Sequence, residues 1–127
     1  MSASTGHLWR ILREGTPLAV IYYSRFDVRD ALLDELTLLA PEGVNVRVAH
    51  DATAAFEHPD EVVALLVDDE PAAVEALDRW RERMAERSMP AVLFLLAGGE
   101  AEGRLRDHPG LASWVRGREY DPERQEP

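Results

Sequence analysis

Between Leu18 and Leu96, short and nearly pure apolar runs alternate with stretches of helical period, and few folds accommodate that rhythm. A run that is apolar at every position must be covered on both faces, so helices have to lie above and below it, as they do in an open parallel α/β sheet. Leu18-Ala-Val-Ile-Tyr-Tyr23, Val62-Val-Ala-Leu-Leu-Val67 and Ala91-Val-Leu-Phe-Leu-Leu96 are such runs and read as central strands. Val44-Asn-Val-Arg-Val48 alternates strictly, which leaves one face wet and predicts an edge strand.

The segments between these runs read as helices. From Asp27 the positions Val28, Leu32, Leu36 and Leu39 keep helical spacing until Pro41-Glu-Gly43. Asp51 to Glu57 predicts a short helix capped by Asp51, with Phe56 turned inward and His58-Pro59-Asp60 as its stop. Pro71 suits a first helical position with Asp69 or Glu70 before it, and Val74, Leu77, Trp80 or Arg81, and Met84 follow at helical spacing. Gly98-Gly99 ends the third central run, Glu100 to Asp107 reads as a short helix, and Leu111 to Val115 as either a fifth strand or a helical turn. Leu8, Trp9, Ile11 and Leu12 predict an N-terminal helix ended by Gly15 and Pro17, and the charged tail from Asp121 to Pro127 is expected to fray. The whole is one domain over residues 1–127. Its expected class is α/β, with a three-layer, mainly parallel, flavodoxin-like sheet of strand order 2-1-3-4-5. In that order the first and third strands flank the crevice where ligands usually sit, and their carboxyl ends carry Tyr23-Ser24-Arg25 and Asp68-Asp69-Glu70.

Charge and composition narrow the chemistry. The formal net charge is −10 and every basic residue is arginine, so phosphate backbones and anionic membranes are disfavoured as partners. The absence of lysine removes a Schiff-base or P-loop lysine, and the absence of cysteine removes a disulfide framework, a thiol nucleophile and Cys-ligated zinc. No apolar run approaches a membrane span, and Met-Ser-Ala-Ser-Thr-Gly-His lacks the features of a secretory signal, so a cytoplasmic location is expected.

Several side chains are candidates for a site. Asp68 and Asp69 could hold magnesium where carboxylates converge at a strand end, although Asp69 or Glu70 also suits the cap of the next helix. Ser24 and Arg25 lie where a loop meets a helix N-terminus and could bind an anion, while Ser24 or Asp27 equally suits an N-cap. His50-Asp51 and His58-Pro59-Asp60 lack the spacing of a metal site, and no metal or other cofactor is expected. Trp80 sits at the boundary of an amphipathic stripe, available to a partner or covering the sheet margin; Trp114 is expected to pack onto the core. Arg79, Arg81, Arg83 and Arg87 with Glu75, Asp78, Glu82 and Glu86 read as a solvated mixed-charge face.

Ala19-Val-Ile-Tyr-Tyr-Ser-Arg-Phe-Asp27 leading into Val28 to Leu39 resembles the opening of bacterial TIR domains. Val44 to Val48 with His50-Asp51, Val62 to Val67, and Met89-Pro-Ala-Val-Leu-Phe-Leu-Leu96 follow in the family's order, over residues 18 to 97. The resemblance implies one of two roles. Enzymatic members cleave NAD with a glutamate on the helix after the third strand, and Glu75 is the matching position. Other members are docking modules of signalling and conflict systems. Because Asp69-Glu-Pro-Ala-Ala-Val stands where enzymatic members carry Ser and Trp-Cys, the leading expectation is a non-enzymatic adaptor that binds another protein, such as an effector or ATPase of the same system.

Overall fold

The computed structural model describes Trp9, Leu12 and residues 17–122. Five strands, β1 (Leu18–Tyr23), β2 (Val46–Ala49), β3 (Val62–Leu65), β4 (Ala91–Leu96) and β5 (Glu119–Tyr120), form one parallel sheet in the order β2-β3-β4-β1-β5. The helices are α1 (Phe26–Leu38), α2 (Ala54–Glu57), α3 (Glu70–Arg79), α4 (Arg81–Met84), α5 (Glu100–Arg106) and α6 (Pro109–Val115).

The three central runs are the buried strands, and β2 lies at the edge as its alternation predicts. Pleating sends Leu18, Val20 and Tyr22 to one face, where α2 to α6 pack, and Ala19, Ile21 and Tyr23 to the other, where α1, Trp9 and Leu12 pack. This is the expected three-layer α/β arrangement. Of the N-terminal helix, Trp9 and Leu12 are helical and buried; Leu8, Ile11 and Gly15 lie outside the described residues, as do residues 123–127 of the tail.

The strand order differs from the expected 2-1-3-4-5. Strand β1 pairs with β4 over its full length, from Leu18↔Ala91 to Tyr23↔Leu96, and β3 lies between β2 and β4. Right-handed crossovers decide which face a helix takes, and they assign the same faces in both orders. How far each connection travels is a separate matter. Skipping a strand means crossing roughly 10 Å of sheet rather than roughly 5 Å. The β2–β3 connection carries only the four-residue α2 and returns to the adjacent position. The longer connections, one with the 13-residue α1 and one with both α5 and α6, are those that pass over other strands.

Smaller departures have local causes. Leu111 to Val115 is helical because Pro109 occupies the first turn of α6, and the fifth strand is the two-residue Glu119–Tyr120 instead. Helix α1 buries Leu32 and Leu36 but leaves Leu39 exposed, since the helix has ended at that residue. Asp51 does not cap α2; its Oδ1 accepts from the Thr53 backbone N–H at 2.9 Å and from the Thr53 hydroxyl at 3.0 Å, forming the turn before the helix. Among the described residues no helix is long and apolar enough to cross a membrane.

Candidate functional site

With β1 beside β4, the crevice between oppositely directed helices opens at the carboxyl ends of these two strands, where α1 leaves to one face and α5 to the other. The crevice expected between the first and third strands is therefore displaced by one strand. The two polar clusters nevertheless meet, through Glu70. At the start of α3, its Oε2 accepts from the Tyr23 hydroxyl at 2.5 Å and its Oε1 from the Leu96 backbone N–H at 2.8 Å. Burial, reinforced by the bond to Glu70, pushes the Tyr23 phenol up to about 12. Buried Glu102 fastens the adjoining turn, accepting from the Gly98 N–H at 2.7 Å and from Arg106 at 2.6 Å. Gly98 itself has φ +74, a conformation that glycine adopts without strain.

Arg25, rather than Ser24 or Asp27, is the N-cap residue of α1; it is in extended conformation and its own side chain makes no cap bond. Asp27 instead lies in the first turn and takes Arg25 as a bidentate partner at 2.9 and 2.6 Å. The carboxylate is thus placed where an anion would profit from the helix N-terminus, and the Arg25 guanidinium holds it down to about 2. Phe26 projects beside this pair at 66% exposure, its ring tilted 35° against that of Tyr23 at 5.9 Å between centroids and covered by the Arg29 guanidinium.

Asp69 caps α3 by accepting from the Ala72 N–H at 3.1 Å. Together with Asp68, His50 and Asp51 it borders a cavity of about 290 Å³ over the carboxyl ends of β2 and β3, floored by Ala52, Ala72 and Ala73. His50 Nδ1 lies 2.8 Å from the Leu66 carbonyl, and because a carbonyl only accepts, Nδ1 is the donor of this bond. Among the described residues no three His, Asp or Glu side chains are placed to hold a metal ion. An adjoining cavity of about 390 Å³ shares Asp69 and Ala72 and is bordered by Glu75, Glu100 and Arg104.

Glu75 is the junction of an ion-pair network that joins α3 to α5 and α6. Its Oε2 lies 3.0 Å from Arg104 and 3.3 Å from His108 Nε2, while His108 Nδ1 lies 3.2 Å from Asp78. The His108 imidazole, and then the Arg104 guanidinium, hold the Glu75 carboxyl below the ordinary glutamate range; Arg47 does the same for Glu61. A carboxyl whose folded pKa is depressed contributes stability that is complete above its unfolded value and is lost as pH falls through the folded one. The melting temperature is therefore expected to fall on acidification below about 4.5, the ordinary glutamate value. Glu75→Gln should flatten that acid limb, and an unchanged limb would show that the network contributes nothing.

Trp80 lies at the break between α3 and α4 and is 44% exposed. Its ring meets Phe56 of α2 edge-on at 6.4 Å between centroids, and the Arg83 guanidinium lies over both rings, 5.1 Å from Phe56 and 5.7 Å from Trp80. Trp80 thus packs on Phe56 and Arg83 and stays partly open to solvent, while Trp114 packs against the core as expected. The triad was not legible beforehand, because Phe56 reaches Trp80 only through the pairing of β2 with β3. Arg87, read as part of a solvated face, is buried: its guanidinium donates to the carbonyls of Ala55, Glu61 and Met89. Set against protein-family models, curated proteins and solved structures, the chain matches none.

Proposed function

We propose that the chain is a non-enzymatic signalling or adaptor domain that binds another protein through the Phe56–Trp80–Arg83 face. The observation that supports this reading is the state of Trp80. A half-exposed tryptophan braced by an aromatic ring and a guanidinium is already ordered, so a partner that covers it loses little side-chain entropy on binding. Tryptophan and arginine are also the residue types that dominate binding hot spots. The carboxyl end of the sheet is furnished differently: Arg25 is neutralised by Asp27, Asp69 is used as a cap, and Glu75 is held by Arg104 and His108. The resemblance to TIR domains suggests the setting, a bacterial conflict or defence system in which an effector or ATPase is the partner.

The test begins with a partner recovered from the native host by co-purification and titrated against purified variants. Trp80→Ala should weaken binding by roughly 30-fold, the loss of one hot-spot residue, while the circular dichroism spectrum is retained. Glu75→Ala should bind as the parent does, and NAD incubated with the domain and its partner should remain intact. Equal affinity of Trp80→Ala and the parent would reject the proposed face. Turnover of NAD that disappears in a folded Glu75→Ala would reject the adaptor in favour of a TIR-like NAD-cleaving enzyme.

A further inference from the structure

At the amino end of the sheet, away from the crevice and from Trp80, a cavity of about 230 Å³ lies between Trp9 and Leu12, the Pro41–Val44 turn, and the Ser88-Met89-Pro90 segment that leads into β4. Its walls are largely apolar, and several of the polar groups along them are engaged. The Pro41 carbonyl accepts from the Val44 N–H at 3.0 Å, the Met89 carbonyl from Arg87 at 2.8 Å, and the Pro90 carbonyl from the Val63 N–H at 3.4 Å. The Ser88 hydroxyl bonds Asp60 at 2.8 Å. Trp9 differs: the residue is only 6% exposed, and its indole Nε1 has no hydrogen-bond partner among the described residues. A buried donor left unpaired is costly, and native folds rarely keep one without a use.

We infer that this cavity is a binding site for a compact, uncharged apolar molecule that carries one hydrogen-bond acceptor, a carbonyl or ether oxygen, directed at Trp9 Nε1. Size supports this, because a closed apolar cavity of about 150 Å³ is known to take up benzene, so this one has room for a ring and a short substituent. Charge agrees with this, since no described residue that lines the cavity is cationic.

Acetophenone and its isostere α-methylstyrene, which differ in having C=O or C=CH2, separate the hydrogen bond from simple apolar filling. Titration of the full chain followed by NMR should show acetophenone binding saturably, shifting the Trp9 indole N–H resonance and binding roughly fivefold more tightly than α-methylstyrene. Trp9→Phe should bind the two compounds alike. Val44→Phe, which fills the cavity, should bind neither, and it keeps the test decisive if Trp9→Phe does not fold. Failure of both compounds to bind, equal affinities in the parent chain, an unmoved Trp9 resonance, or undiminished binding by Val44→Phe would each overturn the assignment.

Discussion

Replacement of Arg87 by alanine is expected to lower the stability of the fold by about 3 kcal/mol, although among the described residues no carboxylate accepts a hydrogen bond from it. Arg87 is 9% exposed, and its guanidinium donates to three backbone carbonyls on separate segments: Ala55 in α2, Glu61 at 2.5 Å just before β3, and Met89 at 2.8 Å just before β4. These segments have no ladder in common at this point, so one planar fork with donors in several directions closes a gap that backbone pairing leaves open. Burial draws the guanidinium down to about 10, which still leaves it charged at neutral pH. Truncation strands the carbonyls away from water and opens a cavity beside Met84. Arg87→Lys should recover only part of the loss, because a single ammonium cannot reach three acceptors in a plane. Chemical denaturation of the three proteins measures this directly. An Arg87→Ala protein within about 0.5 kcal/mol of the parent would show that water replaces the guanidinium at no cost.

Phe94→Ala should be more damaging still, at about 4 kcal/mol, within the range for deletion of a fully buried aromatic side chain. Phe94 lies on β4, the middle strand of the five, in register with Ile21 of β1, and packs in the layer that α1 covers through Leu32 and Leu36. Interior residues on both adjacent strands and on the helix above limit how far the site can collapse into the space left behind. Phe26→Ala supplies the contrast. At 66% exposure it loses only contacts with Tyr23 and Arg29, and its cost should stay below about 1 kcal/mol. Comparable losses in the two variants would mean that Phe94 is not sealed between β4 and α1.

What the chain itself made legible is what depends on short stretches of residues. Burial on both faces requires apolar side chains at every position, so Leu18 to Tyr23, Val62 to Val67 and Ala91 to Leu96 announced the central strands, and the alternation of Val44 to Val48 announced the edge. Caps and breakers act over one helical turn, which is why Asp69, Pro71 and Gly98 could be read in place. Strand order, by contrast, is a comparison between pairings of similar apolar runs, and neither composition nor crossover handedness separates them. The reach of the connections and the full-length register of β1 on β4 do. The same limit applied to the candidate site and the surface. Glu70 looked like a residue at the start of a helix, yet tertiary structure brings Tyr23 and Leu96 to its two oxygens. Trp80 was ambiguous until Phe56 and Arg83 were placed around it, and Arg87 changed from a solvated charge to a buried clamp. Local patterning determined which residues must be inside, because transfer from water is a property of each side chain. Which of them meet was decided only in three dimensions, because contact energies between distant residues depend on the path the whole chain takes.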